Sequence, residues 1–148
     1  MAVTHKWGAL GSKITALSSS QLNNVANAAQ KISSAISYDT NLYLFMDVML
    51  KLSTATGNRA AGAHARLYLL ADLGDSNYSF GSSSLDPGAN NWLCNFNFDS
   101  GATAARVNVQ TMLPIPPENF KLLLENRTGQ PFTSCTVLSY RRYYMQST

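Results

Sequence analysis

The chain has 148 residues, a net charge of +3 and a 45% hydrophobic content, yet only 13% of it is charged. That length suits one domain able to bury about two-thirds of its unfolded surface, and Ser, Thr, Asn and Gln fill the charge deficit, as in a β-rich, turn-rich protein that sits inside an assembly. The cations are scattered, with only Arg141 and Arg142 adjacent, which argues against a nucleic-acid face, and no apolar run reaches the ~20 residues of a membrane helix.

The first twelve residues, with Trp7, Gly8 and Gly11, read as an arm docked on an apolar surface, since Trp is costly to leave in water. They lack the apolar core of a cleaved leader, so a soluble product made in the cytoplasm is expected. Residues 13–148 read as a single β-sandwich domain. Lys13 to Leu17 predicts a short strand. Ser20 caps a short helix or turn over 20–28, and 30–38 reads as extended. Asp39, Thr40 and Asn41 supply turn chemistry.

From Leu42 to Leu52 the pattern alternates without a break. Leu42, Leu44, Met46, Val48, Leu50 and Leu52 share one parity, and a period of two sends them all to one face of a strand. The opposite face carries Tyr43, Phe45 and Met49, more apolar than a solvated face needs, so the arm or a neighbouring molecule is expected to cover it. A second half-buried strand follows over 63–71. The long connection 73–91 holds a turn at Asp86, Pro87 and Gly88. Trp92, Cys94, Phe96 and Phe98 predict one face of a third clear strand, and 105–111 a further one. The prolines between Leu113 and Pro117 mark an edge or crossing. Phe120, Leu122 and Leu124 point inward, Asn126 to Gly129 closes a hairpin, and 136–145 is a final strand dense in tyrosine. About eight strands without strand–helix alternation predict an all-β fold: an antiparallel, jelly-roll-like sandwich.

Chemistry is sparse. His64 alternates with Arg66 on an outer face and has no nucleophile motif beside it, so no catalytic set is expected. Cys94 and Cys135 read as small buried residues, and with His5 and His64 so distant no metal site follows. Asp72, Asp75, Asn77 and Asp86 carry the oxygen ligands that calcium takes, but their spacing does not match the helix–loop–helix calcium pattern, and Asx residues beside glycine are ordinary turn formers. Asn126-Arg127-Thr128 is a formal glycosylation sequon and reads as a turn. Tyr140, Tyr143, Tyr144, Arg141 and Arg142 are residue types enriched at protein interfaces.

Four segments, Ser20 to Ala29, Asn41 to Val48, Ala65 to Leu70 with Gly74 to Tyr78, and Leu113 to Gly129, in this order resemble small jelly-roll virion proteins of tailed bacteriophages. The resemblance implies a capsid decoration, or cement, protein, not an enzyme and without cofactors. It would bind the major capsid protein on the outside of the shell and self-associate there as a dimer or trimer, with no nucleic-acid or membrane partner. It carries over no individual site residue. The residues expected at the interface are Trp7, Tyr43, Phe45, Arg141, Arg142, Tyr143 and Tyr144. Two alternatives stand beside it: a collar, tail or fibre component, or a carbohydrate-binding jelly roll with Tyr68, Tyr78 and Tyr144 as its aromatic platform.

Overall fold

The computed structural model describes residues 5–8, 10–38, 43–72, 78–79 and 81–147. Ten strands follow in order: β1 (His5–Trp7), β2 (Ile14–Leu17), β3 (Gln30–Ile32), β4 (Phe45–Leu52), β5 (His64–Ala71), β6 (Trp92–Asn97), β7 (Arg106–Pro114), β8 (Phe120–Arg127), β9 (Val137–Tyr143) and β10 (Met145–Ser147). One α-helical turn, α1 (Ser19–Leu22), and one 3-10 turn (Ala89–Asn91) complete the described elements. No helix among the described residues is long and apolar enough to cross a membrane.

Eight of the strands form two four-stranded antiparallel sheets, ordered β2-β9-β4-β7 and β3-β8-β5-β6. Within these, only β5 and β6 follow each other in one sheet; at every other step the chain crosses to the opposite sheet. That winding is the jelly roll, in which most hydrogen-bonded neighbours are far apart in sequence. The alternating run supplies the centre of the first sheet: Met46, Val48, Leu50 and Leu52 of β4 are buried against Leu67, Phe96, Leu122, Leu124 and Leu138. Leu44 precedes the strand and is 51% exposed, while Leu42 and the turn at 39–41 lie outside the described residues.

The arm pairs along the end of its own chain. β1 lies antiparallel to β10, Gly8 N–H donates to Tyr144 O at 2.8 Å, and Gly11 N–H donates to Arg142 O at 2.9 Å. A Cβ at Gly8 would sit 2.5 Å from the Tyr144 ring, so only glycine permits this approach.

The short helix or turn expected over 20–28 is α1 followed by turns, the helix stopping after four residues because Asn24 and Ala28 take positive φ and the chain turns toward Phe132 and Asn126. Two local expectations are corrected. The extended segment 30–38 shortens to β3, followed by an isolated bridge from Ile36 to Phe120. Residues 126–129 close no hairpin, since β8 and β9 belong to different sheets. The turn instead carries the chain across the core.

Asn126 anchors that crossing. Its side chain is fully buried: Nδ2 donates to Val25 O (2.9 Å) and Gln130 O (2.8 Å), and Oδ1 accepts from Thr128 N–H (3.0 Å) and Thr128 Oγ1 (2.7 Å). Buried groups stripped of a partner carry the desolvation cost, so Asn126→Ala is expected to lower stability by about 3 kcal/mol. The denaturant midpoint of the variant checks this.

Candidate functional site

The expected interface patch comes together, but its groups are spent on one another. Tyr143 is buried, stacks on Phe45 with ring centroids 6.0 Å apart, and donates its hydroxyl to Asp47 Oδ1 at 3.1 Å. Arg141 donates from Nε (2.9 Å) and Nη2 (2.8 Å) to Asp47 Oδ2. Arg142 lies over the Tyr43 ring at 4.9 Å and donates to Ser37 O. Tyr144 packs on Tyr43 and closes over Gly8. Trp7 lies on β1 opposite Met145. The half-apolar outer face of β4 is therefore served largely from within the chain, by β9.

The outer face of the other sheet is different. Its register sets two side-chain rows across the strands. Gln30, Glu125, Arg66 and Asn95 form a polar row, and Ile32, Leu123, Tyr68 and Trp92 an apolar and aromatic one beside it. The second row depends on a β-bulge. Cys94 pairs with Leu67 but Trp92 pairs with Tyr68, so two residues of β6 oppose one of β5. The bulge re-aims Trp92: Cys94 and Phe96 stay in the core, while Trp92 turns out and is 52% exposed. The single face expected for Trp92, Cys94 and Phe96 is corrected accordingly.

Glu125 holds the polar row together. It is only 2% exposed, and an unpaired carboxylate there would be expensive. Arg127 donates to its Oε1 from Nε (2.7 Å) and Nη2 (2.6 Å). Oε2 accepts from the Tyr68 hydroxyl at 3.3 Å and lies 3.7 Å from Arg66 Nη1. The bond to Glu125 raises the Arg127 pKa, whereas burial raises that of Tyr68. The Trp92 indole N–H donates to Asn95 Oδ1 at 3.0 Å, which fixes the ring plane. Asp86, Pro87 and Ala89 form the far wall, and the result is an open groove of about 480 Å³.

Burial also raises the phenol of Tyr143, with the Asp47 carboxylate adding to the effect. An acid whose pKa is raised on folding releases its proton first from the unfolded chain. Its contribution is fully present below the unfolded value of about 10 and is lost as pH rises through the folded value. Ultraviolet titration is expected to show Tyr68 and Tyr143 ionising above the ordinary phenol range, with stability falling above pH ~10.

The remaining expected residues fall elsewhere. His64 Nδ1 contacts Gly62 O at 2.8 Å at the start of β5. Tyr78 packs beside Tyr68, Leu70 and Leu123 beneath the Lys121 ammonium, 3.8 Å from its ring. Tyr144 lies with the arm, so the three-tyrosine platform is not assembled. Asp72 is buried and bridged to Tyr78, Asp86 lines the groove, and Asp75 and Asn77 lie outside the described residues. Cys94 and Cys135 are unpaired; Cys135 is exposed, and burial pushes the Cys94 thiol up to about 12. Sequence reasoning missed Trp92, Glu125, Arg66 and Arg127 as a set. The one local signal was Glu125, an acid closing the otherwise apolar run Leu122, Leu123, Leu124.

No family model matches the chain, and no curated protein does. Among solved structures it is similar to a family 36 carbohydrate-binding module in complex with calcium and xylotriose, at 13% identity and TM-score 0.40, with both chains fully covered. It is also similar to a family 36 module of a multidomain xylanase from the hindgut metagenome of Trinervitermes trinervoides, at 10% identity and TM-score 0.42, covering 99% of this chain and 97% of that one. A third is a family 32 module from a family 31 glycoside hydrolase of Clostridium perfringens, at 17% identity and TM-score 0.32, covering 96% and 94%. These are carbohydrate-binding modules, not virion proteins, and the expectation of a capsid decoration protein is corrected on that finding.

Proposed function

We propose that the chain is a carbohydrate-binding module and that its ligand lies in the groove on the β3-β8-β5-β6 sheet. One observation carries the reading: a half-exposed indole, held in plane by Asn95, stands beside a row of planar polar side chains anchored on a buried carboxylate. A sugar ring presents C–H groups on its faces and hydroxyls at its rim. It needs an apolar plate for the first and paired donors and acceptors for the second, and concave sites combine these in the same way. Trp92 supplies the plate. Arg66, Asn95 and Asp86 supply hydrogen bonds to the rim, in the roles their chemistry allows.

The fold itself decides nothing about function; the side chains of the groove make the case. Binding without catalysis fits the state of Glu125. Its carboxylate is enclosed and already accepts from Arg127 and Tyr68, which leaves it poorly placed to exchange a proton with a ligand. The purified chain applied to an array of immobilised glycans tests the reading, with Arg66→Ala as the control. Saturable binding that the variant loses supports it, and silence across the array overturns it.

A further inference from the structure

Trp92 borders a second cavity as well as the groove. That cavity, of about 400 Å³, lies beyond β6 and is bounded by Ser79, Asn90, Leu93, Pro114 and Pro116. Each volume falls in the range of about 300–1,000 Å³ that encloses small-molecule ligands. One aromatic plate shared by two concavities matches a ligand that continues past it. A lone terminal sugar would fill one side and leave the other idle.

Neither cavity carries a net charge on its described lining residues. On the first side Arg66 and Arg127 are balanced by Glu125 and Asp86, so the lining has no net charge. On the second, among the described residues, no ionisable side chain lines the wall. The Asn90 amide makes no side-chain hydrogen bond among the described residues, and the Ser79 hydroxyl, which donates to Ala71 O at 3.3 Å, keeps its acceptor sites. Apolar surface from Leu93, Pro114 and Pro116 lies around them, which again suits a ring with a polar rim.

Resting on the carbohydrate reading, we infer that the site takes an uncharged oligosaccharide chain that crosses the sheet edge at Trp92, with one segment in the groove and the next against Asn90 and Ser79. Affinity should then grow with chain length until both cavities are filled.

Calorimetric titration of the full chain with neutral β-1,4-linked gluco-, xylo-, manno- and N-acetylglucosamine oligomers of one to six units is the test. The best series is expected to gain about tenfold or more between disaccharide and tetrasaccharide, corresponding to about 1.4 kcal/mol of added contact. In the doubly substituted Asn90→Ala, Ser79→Ala chain, whose thermal midpoint is followed alongside, the ratio of those two affinities should fall toward one. A monosaccharide that binds as tightly as the tetrasaccharide would overturn the inference while leaving the groove a sugar site. Tighter binding of uronate or sulfated oligomers would overturn its uncharged character. Failure of every neutral and charged oligomer would overturn the carbohydrate reading and the inference together.

Discussion

Trp92→Ala should lower glycan affinity by about thirtyfold, the equivalent of about 2 kcal/mol, because truncating a central aromatic anchor commonly costs that much or more. Folding stability should change far less. The indole is 52% exposed and stands on the outer face of its sheet, so little core packing is lost. The hydrogen bond from its Nε1 to Asn95 Oδ1 is also surrendered, but both groups can turn to water. Comparing calorimetric affinity with the thermal midpoint separates the two effects. A variant that binds glycan as well as the parent removes Trp92 from the site; one that loses binding only because it unfolds would show a collapsed midpoint. Trp92→Phe supplies the graded case: it keeps an apolar plate while losing the bond that fixes its plane, and should retain part of the affinity.

Asp47→Ala is expected to have the largest effect on stability, about 4 kcal/mol, with little direct effect on the groove, which lies on the other sheet. Asp47 sits on the outer face of β4, nearly buried, where a carboxylate needs partners. It has four donors: Met112 N–H at 3.3 Å, the Tyr143 hydroxyl at 3.1 Å, and Nε and Nη2 of Arg141. These tie β7, β4 and β9 together at the place where the β4–β7 register slips between Met46 and Val48 and Met112 takes φ +57. A left-handed methionine is strained, and the bond from its N–H to Asp47 helps hold it there. Alanine would leave the buried Tyr143 hydroxyl and the Met112 amide without that acceptor. Asp47→Asn should cost only about 1–2 kcal/mol: its amide oxygen can still accept from both, and Arg141, itself partly exposed, can turn to water. Denaturant midpoints of the two variants check the order. Equal losses would show that the charge, not the geometry at the bulge, holds the strands.

The edge strand β7 shows how position overrides pattern. Its alternation reads as an ordinary half-buried strand, yet Val107 and Val109 are 59% and 51% exposed. They project from the outer face opposite Lys51 and Met49, at the edge of the sheet, where among the described residues no further strand lies beside them. Their fellows Asn108 and Gln110 turn to the other side and bond to Asn97 O and to Asn108. Periodicity tells which residues share a face; it does not tell which face a neighbouring sheet covers.

The same limit governs the site. Period-two alternation is a local property of the backbone, so the sequence alone determined the all-β class, the core parity of Met46, Val48, Leu50 and Leu52, and the inward set Phe120, Leu122 and Leu124. It did not place Tyr143 and Arg141 against the outer face of β4, where the arm or a neighbouring molecule was expected; that pairing with β9 is a matter of register. What the tertiary structure decided is which strands lie side by side. Gln30, Glu125, Arg66 and Asn95 come from four strands spread over about two-thirds of the chain, and only the crossing connections bring them into one row. The exposure of Trp92 rests on a single extra residue in β6, a slip of register that emerges only when β6 is laid against β5. Parity is written in one strand, whereas register is a relation between two.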